Sequence, residues 1–326
     1  MTDKKLIAVV GATGSQGGGL VRAILADPEQ QFAVRALTRD PQSAKAQELA
    51  AAGAEVVEAD LDDETSVRKA FDGAYGAFVV TNYWVSRTPE EEAARTRAEM
   101  ELEQAENAAR AAKDANVAHV IWSTLEDTRP HFGDDEGVPS VDDGRYKVPH
   151  FDAKGEANEL FTRYGVPTTF LQTTFYFEAM QQGMGPARNA DGNLVLTLPM
   201  DDEPLSGIAG EDIGKTALGI FKRGTDFIGS TVSIAGDHLT GAQYAEALTA
   251  ALGEKVVYKP YTWDEFRRLG FPTAVEVANM FQFYAQDSDR FTGDRDLDLV
   301  RELNPELQSF ASWLAKHKDE VKAATN

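Results

Sequence analysis

An apolar run, Leu6-Ile7-Ala8-Val9-Val10, passes directly into Gly11-Ala12-Thr13-Gly14-Ser15-Gln16-Gly17-Gly18-Gly19 and then into a helical pattern, Leu20-Val21-Arg22-Ala23-Ile24-Leu25. Strand, glycine turn and helix, in that order, constrain the fold more than any other feature. Such a turn brings the backbone close to a pyrophosphate, whose charge the N–H groups and dipole of the helix N-terminus favour. Gly11, Gly14 and Gly17 give the spacing G-x-x-G-x-x-G rather than G-x-G-x-x-G. The strand before and the helix after supply the context that the motif requires.

Further strand-length apolar runs follow at Ala33–Thr38, Ala54–Glu58, Ala77–Thr81, Val117–Ser123 and Thr168–Thr173. Several are apolar throughout, as suits parallel strands buried on both faces. Helical patterns separate them: Gln16–Ala26, Pro41–Ala52, Glu64–Phe71, Pro89–Lys113 and Phe151–Tyr164. The Pro89 helix carries its own start signal, with Thr88 as N-cap and Glu91 completing a capping box. Alternation of this kind predicts an α/β fold, a Rossmann-type doubly wound parallel sheet with right-handed crossovers. After residue 175 the alternation loosens. Leu194–Leu196 and Ser230–Ile234 read as short strands; Glu211–Phe221, Gly241–Leu252, Val275–Tyr284 and Ser309–His317 read as helices. Residues 1–175 are therefore expected to form the NAD(P)-binding domain. Residues 176–326 form a smaller α+β C-terminal region for substrate or partner, with an interleaved boundary and part of the chain returning to the sheet.

The 326 residues carry a net charge of −21 and no cysteine. That acidity opposes direct nucleic-acid binding, which needs basic patches against phosphates. Without cysteine there is no disulfide, thiol chemistry or zinc–thiolate site, and no metal site is expected. No run approaches the roughly 18 apolar residues of a membrane span. With no secretory signal pattern at the N-terminus, a cytoplasmic location is expected.

The end of the second strand selects the dinucleotide. Leu37-Thr38-Arg39-Asp40 places an arginine first. A guanidinium there pairs with a 2′-phosphate, whereas a carboxylate would accept from a ribose 2′-OH. Asp40, followed by Pro41, reads as the cap of the next helix. NADP(H) is therefore preferred, with NAD(H) as the alternative. The stretch Asp127–Pro149, rich in Asp, Glu, Gly and Pro, is long for a loop and reads as a candidate lid over the crevice.

Gly11-Ala12-Thr13-Gly14-Ser15-Gln16-Gly17-Gly18 resembles the G-x-T-G-x-Q-G-G signature of NmrA-like proteins, atypical members of the short-chain dehydrogenase/reductase superfamily. The similarity continues through Val34–Arg39, Thr81-Asn82-Tyr83-Trp84, His150–Glu156, Tyr176-Phe177-Glu178, Leu269–Pro272, Ala278–Phe281 and Trp313-Leu314, and is closest to the NADPH-sensor branch. The resemblance implies that Gly11, Ala12, Thr13, Gly14, Ser15, Gln16 and Gly17 hold the pyrophosphate and Arg39 the 2′-phosphate. Asp60 and Leu61 would flank the adenine, and Thr81, Asn82 and Tyr83 would line the middle of the crevice. Lys154 would reach the nicotinamide ribose, and Tyr176, Phe177 and Glu178 would border the nicotinamide. The chain departs from that branch at Gln104-Ala105-Glu106, where Gln-Gly-Lys is expected.

Reductases of the superfamily use a Tyr-x-x-x-Lys pair on one helix face. Here the pair is His150-x-x-x-Lys154. The resemblance implies a cofactor-ratio sensor that acts through a regulatory protein partner and lacks ordinary dehydrogenase activity. The alternative is an NADPH-dependent reductase of a small quinone, carbonyl or imine, with His150 as the acid, since imidazole is competent in that role. In that case Ser123 would orient a carbonyl, with Thr124 as the alternative, and Tyr146, four residues before His150, is a second candidate acid.

Overall fold

The chain is described by a computed structural model covering residues 4–325. Six of the apolar runs become parallel strands: β1 Lys5–Val9, β2 Phe32–Thr38, β3 Glu55–Glu58, β4 Gly76–Val79, β5 His119–Thr124 and β6 Thr168–Gln172. A seventh strand, Thr231–Ser233, joins beyond β6, so the order is seventh strand, β6, β5, β4, β1, β2, β3, all parallel. The order reverses between β1 and β4, and a Rossmann-type sheet binds its ligand outside the strand carboxyl ends at that point.

Alternation along β1 decides the two layers. Ile7 and Val9 face a core shared with Leu20, Ile213 and Phe221; Ala8 and Val10 face one shared with Ala105, Ala109 and Phe161. Helices Ser15–Ala26 and Gly210–Lys222 cover the first face, and Arg97–Asp114 and Pro149–Arg163 the second. β4 and β5 are buried at every residue, as central parallel strands should be.

Three local expectations change. The long helix from Pro89 is two helices, Pro89–Ala94 and Arg97–Asp114. Thr96 and Glu99 form a second capping box, which restarts the helix after Arg95 takes an extended conformation. Asp40 does not cap the following helix; that helix begins at Ala44, capped by Ser43. Asp40 instead accepts the Gln42 N–H at 2.9 Å, an Asx turn. β4 ends at Val79, which leaves Thr81 in the loop beyond it.

The C-terminal region holds two three-stranded sheets. Its core packs Phe177, Tyr244, Phe310 and Trp313 together. The chain crosses back from this region into the main layers through the Gly210–Lys222 helix and the seventh strand. A Cβ on Gly214 would stand 2.1 Å from the Leu20 amide nitrogen, and one on Gly19 would stand 2.5 Å from the Glu211 carbonyl oxygen. The third glycine of the Gly17–Gly19 run thus serves helix packing rather than phosphate.

The Asp127–Pro149 stretch is folded down. It contains a short helix, Arg129–Phe132, and a bridge between Val141 and Tyr146, and it buries Phe132, Val138, Tyr146 and Val148. Asp152 fastens both ends, accepting from Thr128 N–H and Oγ1–H and from the Lys147 and Val148 amides at 2.7–2.9 Å. None of its residues through Val148 lines the main crevice, so the stretch is not its lid in this conformation. Among the described residues no helix is long and apolar enough to cross a membrane.

His119, wholly buried at the start of β5, bonds Thr169 Oγ1 at 2.8 Å. Burial pushes its pKa down to about 4, against an ordinary value of 6.5. A depressed pKa stabilises the fold above the unfolded value, and that contribution is lost as pH falls through the window from about 6.5 to 4. By linkage the loss amounts to roughly 3 kcal/mol. Denaturant unfolding of His119→Gln across this window should show a flatter pH slope than the parent. An unchanged slope would assign the acid sensitivity elsewhere.

Candidate functional site

A crevice of about 1120 Å³ opens outside the carboxyl ends of β1, β2, β4, β5 and β6. That exceeds the roughly 300–1,000 Å³ of a typical single-ligand pocket. The glycine turn forms one wall. Gly11 takes φ +65°, which a side chain would strain, and a Cβ on Gly17 would stand 2.4 Å from the Gly11 carbonyl oxygen. The helix beginning at Ser15 has Gly14 as its N-cap and no side chain capping it. Its first N–H groups are thus left for a ligand, and an anion is the species they favour. Gly11, Thr13, Gly14, Ser15, Gln16 and Gly17 line the crevice. Ala12 is buried behind them, its N–H donating to the Leu37 carbonyl at 3.3 Å.

At the β2 end, Arg39 is exposed, lines the crevice and forms no ion pair among the described residues. Its neighbour Arg35, by contrast, is held by Glu55 and by the Ala70 and Asp72 carbonyls. Asp60 and Leu61 line the same end; the Leu61 carbonyl accepts from Asn107 at 2.8 Å.

In the middle lies a buried cluster. Lys154 Nζ donates to Thr81 Oγ1 at 2.6 Å and to the Thr81 carbonyl at 3.2 Å, and pairs with Glu101 at 2.8 Å. Glu101 is 1% exposed and its second oxygen has no partner. Asn82 is exposed beside this cluster, its Oδ1 accepting the Trp84 N–H.

The inner end centres on His150. Its Nδ1 lies 2.5 Å from Glu276, which also accepts the His150 N–H at 3.1 Å and, through its other oxygen, the Tyr83 hydroxyl at 3.3 Å. Glu276 comes from the C-terminal helix Ala274–Gln286 and is itself buried. With Nδ1 held, Nε2 is the ring nitrogen that no described residue bonds. Across the crevice Ser123 Oγ donates to Gln16 at 2.7 Å, and Gln16 donates on to Tyr176. Glu178 accepts the Gly210 N–H at 3.0 Å and so caps the returning helix. Apolar side chains complete this end, among them Trp84, Phe151, Met184, Phe271 and Met280.

Phenols do not supply a ready acid here. Burial first, then carboxylates led by Glu276, raises Tyr83 far above its usual value; burial pushes Tyr176 up to about 12. Tyr146 is buried outside the crevice, bonded to Glu156 and flanked by Arg129 and Arg145, so it cannot stand in for the missing tyrosine. Phe177 is also displaced from its expected place. It is fully buried against Phe310 and Trp313, and only its neighbours Tyr176 and Glu178 reach the crevice.

Glu101 and Glu276 are the polar residues that sequence reasoning missed. Both carried a signal. Glu101 sits on the same stripe as Ala98, Ala105, Ala108 and Ala112, and Glu276 precedes the buried run Val277–Ala285. A lone carboxylate on an apolar helix face is costly unless paired, so it marks a built site.

The profile of the NmrA-like family matches residues 3–314. The chain belongs to the NmrA-like family. It is 28% identical to the NmrA-like family domain-containing oxidoreductase malD of Malbranchea aurantiaca, over 97% of each chain. To cpsB of Aspergillus campestris, which carries the same description, identity is 30% over 90% of this chain and 86% of that one. Among solved structures it superimposes with a TM-score of 0.75 on NmrA, a negative transcriptional regulator, in complex with NADP, at 23% identity and covering 98% and 97% of the two chains. For this NmrA-like protein that likeness establishes the fold.

Proposed function

We propose that this NmrA-like protein is an NADP(H)-dependent oxidoreductase that reduces a small, largely apolar acceptor in the cytoplasm. The observation that carries the reading is the continuity of the crevice, from an unpaired Arg39 past an uncapped helix N-terminus to His150 in an apolar pocket. The residues fit a dinucleotide: the Gly11–Gly17 turn for the pyrophosphate, Arg39 for a 2′-phosphate, and Asp60 and Leu61 beside the adenine. NAD(H) fits the same turn without using Arg39. Bound in its reduced form, the dinucleotide supplies hydride.

The protein's own residues do the rest. Glu276 accepts from His150 Nδ1–H and fixes the ring, so that in its imidazolium form Nε2–H gives a proton to a carbonyl or quinone oxygen and the ring is left neutral. Thr81 and Glu101 hold Lys154 at the middle of the crevice, beside the expected ribose. The Ser123–Gln16–Tyr176 chain closes the opposite side.

Removing the carboxylate behind His150 tests this arrangement. Glu276→Ala should lower kcat for a quinone acceptor by roughly tenfold or more, by analogy with the loss of a ligand-orienting carboxylate, with NADPH affinity unchanged. Glu276→Gln, which can still hold the ring, should keep more activity. Equal kcat in parent and both variants would remove His150 from proton transfer.

The second reading, a cofactor-ratio sensor acting through a protein partner, draws support from the missing tyrosine and from the mouth of the crevice. There Trp84 (51% exposed) and Phe271 present apolar surface. Partner capture that switches between NADP+ and NADPH, with no acceptor turned over, would favour it.

A further inference from the structure

Hydrogen-bond directions decide which group faces an acceptor across the crevice from His150. Ser123 carries one hydroxyl hydrogen, and it goes to Gln16 Oε1 at 2.7 Å. Gln16 passes an amide hydrogen on to the Tyr176 oxygen. The last hydrogen of the series, on Tyr176 Oη, meets no acceptor among the described residues, and Tyr176 lines the crevice. Thr124, next along β5, does not take the place of Ser123. It is wholly buried outside the crevice, its hydroxyl turned to Asn158 at 2.8 Å and to the Lys154 carbonyl at 3.0 Å. Tyr176 is fixed from behind, since it closes the short strand Phe175–Tyr176, which pairs with Gly207 and Ile208. Burial raises its pKa to about 12, so the phenol keeps its proton near neutral pH; hydrogen bonds from Thr173 and Gln16 act in the other direction. Bonds with that effect bring hydrogen to the phenol oxygen, which leaves its own O–H free and makes it a stronger donor.

From these directions we infer that Tyr176, rather than Ser123, donates a hydrogen bond to the reacting oxygen of a carbonyl or quinone acceptor, with Ser123 and Gln16 as positioning residues behind it. This role rests on the oxidoreductase reading above and adds a second catalytic residue to it. When hydride adds to the acceptor carbon, the C–H bond forms and the C=O π pair moves onto oxygen, while the reduced dinucleotide is oxidised by two electrons. Negative charge then develops on that oxygen. A fixed donor aimed at such a charge stabilises the transition state more than the ground state, and most where water is kept out. Tyr176 holds the charge and keeps its proton. The proton that ends on the oxygen comes from His150 Nε2, which leaves a neutral ring. The phenol thus takes over the orienting duty expected of Ser123 without becoming the missing acid. Ser123 acts one step removed: its hydroxyl fixes the Gln16 amide, and the amide polarises Tyr176.

Tyr176→Phe, Ser123→Ala and the double variant are compared with the parent as full-length proteins, each first shown by calorimetry to bind NADPH. With NADPH and a quinone, Tyr176→Phe should lower kcat by about 10²–10³-fold, the range for losing one such donor. Ser123→Ala should lower it by about three- to tenfold, because Gln16 loses its fixed partner. The double variant should be no slower than Tyr176→Phe alone, since Ser123 acts through the phenol. A second readout needs no turnover. 4-Dimethylaminocinnamaldehyde absorbs at longer wavelength when its carbonyl oxygen accepts a hydrogen bond. Added to the NADP+-saturated parent, it should shift to the red; Tyr176→Phe should diminish the shift and Ser123→Ala should largely retain it. Ser123→Ala costing more than Tyr176→Phe, in kcat or in the shift, would turn the Gln16 amide around, return the role to Ser123 and overturn the inference. A band that the parent leaves unmoved would overturn it as well. The expected pattern of shifts with no acceptor reduced by the parent would count against the oxidoreductase reading alone.

Discussion

Arg39→Ala should weaken NADPH binding by about 10- to 100-fold while leaving NADH binding within about twofold, because a charge-assisted contact to phosphate contributes roughly 1.5–3 kcal/mol and every 1.4 kcal/mol is tenfold. The asymmetry follows from where Arg39 stands. It follows Thr38, the last residue of β2, at the crevice, exposed, with no ion pair among the described residues to replace when a ligand leaves. No fold contact is lost with it, so the thermal midpoint should not move. Arg35, two turns of the strand pleat earlier, would behave in the opposite way. Its guanidinium ties Glu55 to the Ala70 and Asp72 carbonyls, and its removal should be felt as stability. Titration calorimetry with both dinucleotides measures the ratio. Equal losses for NADPH and NADH would mean that Arg39 does not read the 2′-phosphate.

Gly214→Ala is the second large effect. Its Cβ would stand 2.1 Å from the Leu20 nitrogen, 2.4 Å from the Gln16 carbonyl oxygen and 2.6 Å from the Gly19 carbonyl carbon. All three are backbone atoms of the helix that follows the glycine turn, so no side chain can rotate away. Overpacking of a close-packed core costs about 1–3 kcal/mol, occasionally more, and a backbone-to-backbone contact belongs at the upper end. A fall in the thermal midpoint of roughly 3–5 °C is expected for a chain of 326 residues. The strain also reaches the site. Moving this helix displaces Gln16, which joins Ser123 to Tyr176, and the N–H groups left open by Gly14. Dinucleotide affinity should therefore fall together with stability. Gly73→Ala, at a positive-φ turn with nothing within 4 Å, serves as the control: it should cost stability without touching affinity.

Gly19 and Gly214 mark the boundary of what the sequence can show. The strand–turn–helix at the start is local, and Gly11 and Gly17 do there what their spacing implies. The parallel strands are equally legible, because burial on both faces leaves β4 and β5 without polar alternation. The role of Gly19 was not legible, since its partner Gly214 lies far along the chain and nothing local announces the crossing. The same holds at the site. His150 and Lys154 are visible as a pair four residues apart on one helix. Their carboxylates arrive from elsewhere, Glu101 from the helix before β5 and Glu276 from 126 residues downstream. Phe177 was misread for a related reason. The strand ends at Tyr176 and Phe177 opens a 3₁₀ turn, Phe177–Gln181, that carries its ring away from the crevice; the Phe310–Trp313 pair that receives it comes from the last helix. The Asp127–Pro149 stretch looked like a lid by composition. Its acidic and glycine residues are spent on turns, while Phe132, Val138 and Val148 fasten it to the core.

The measurement that tests the central claim most directly is NADPH oxidation, followed by the loss of reduced nicotinamide absorbance, with quinone, aldehyde and iminium acceptors. Parent, His150→Ala and Lys154→Ala proteins are compared, each first shown by calorimetry to bind NADPH. Turnover in the parent is expected, and His150→Ala should lower quinone turnover by about 10²–10⁴-fold, the range of a general acid. NADPH bound by all three proteins, with no acceptor consumed by any of them, would contradict the oxidoreductase account and leave the sensor reading in its place.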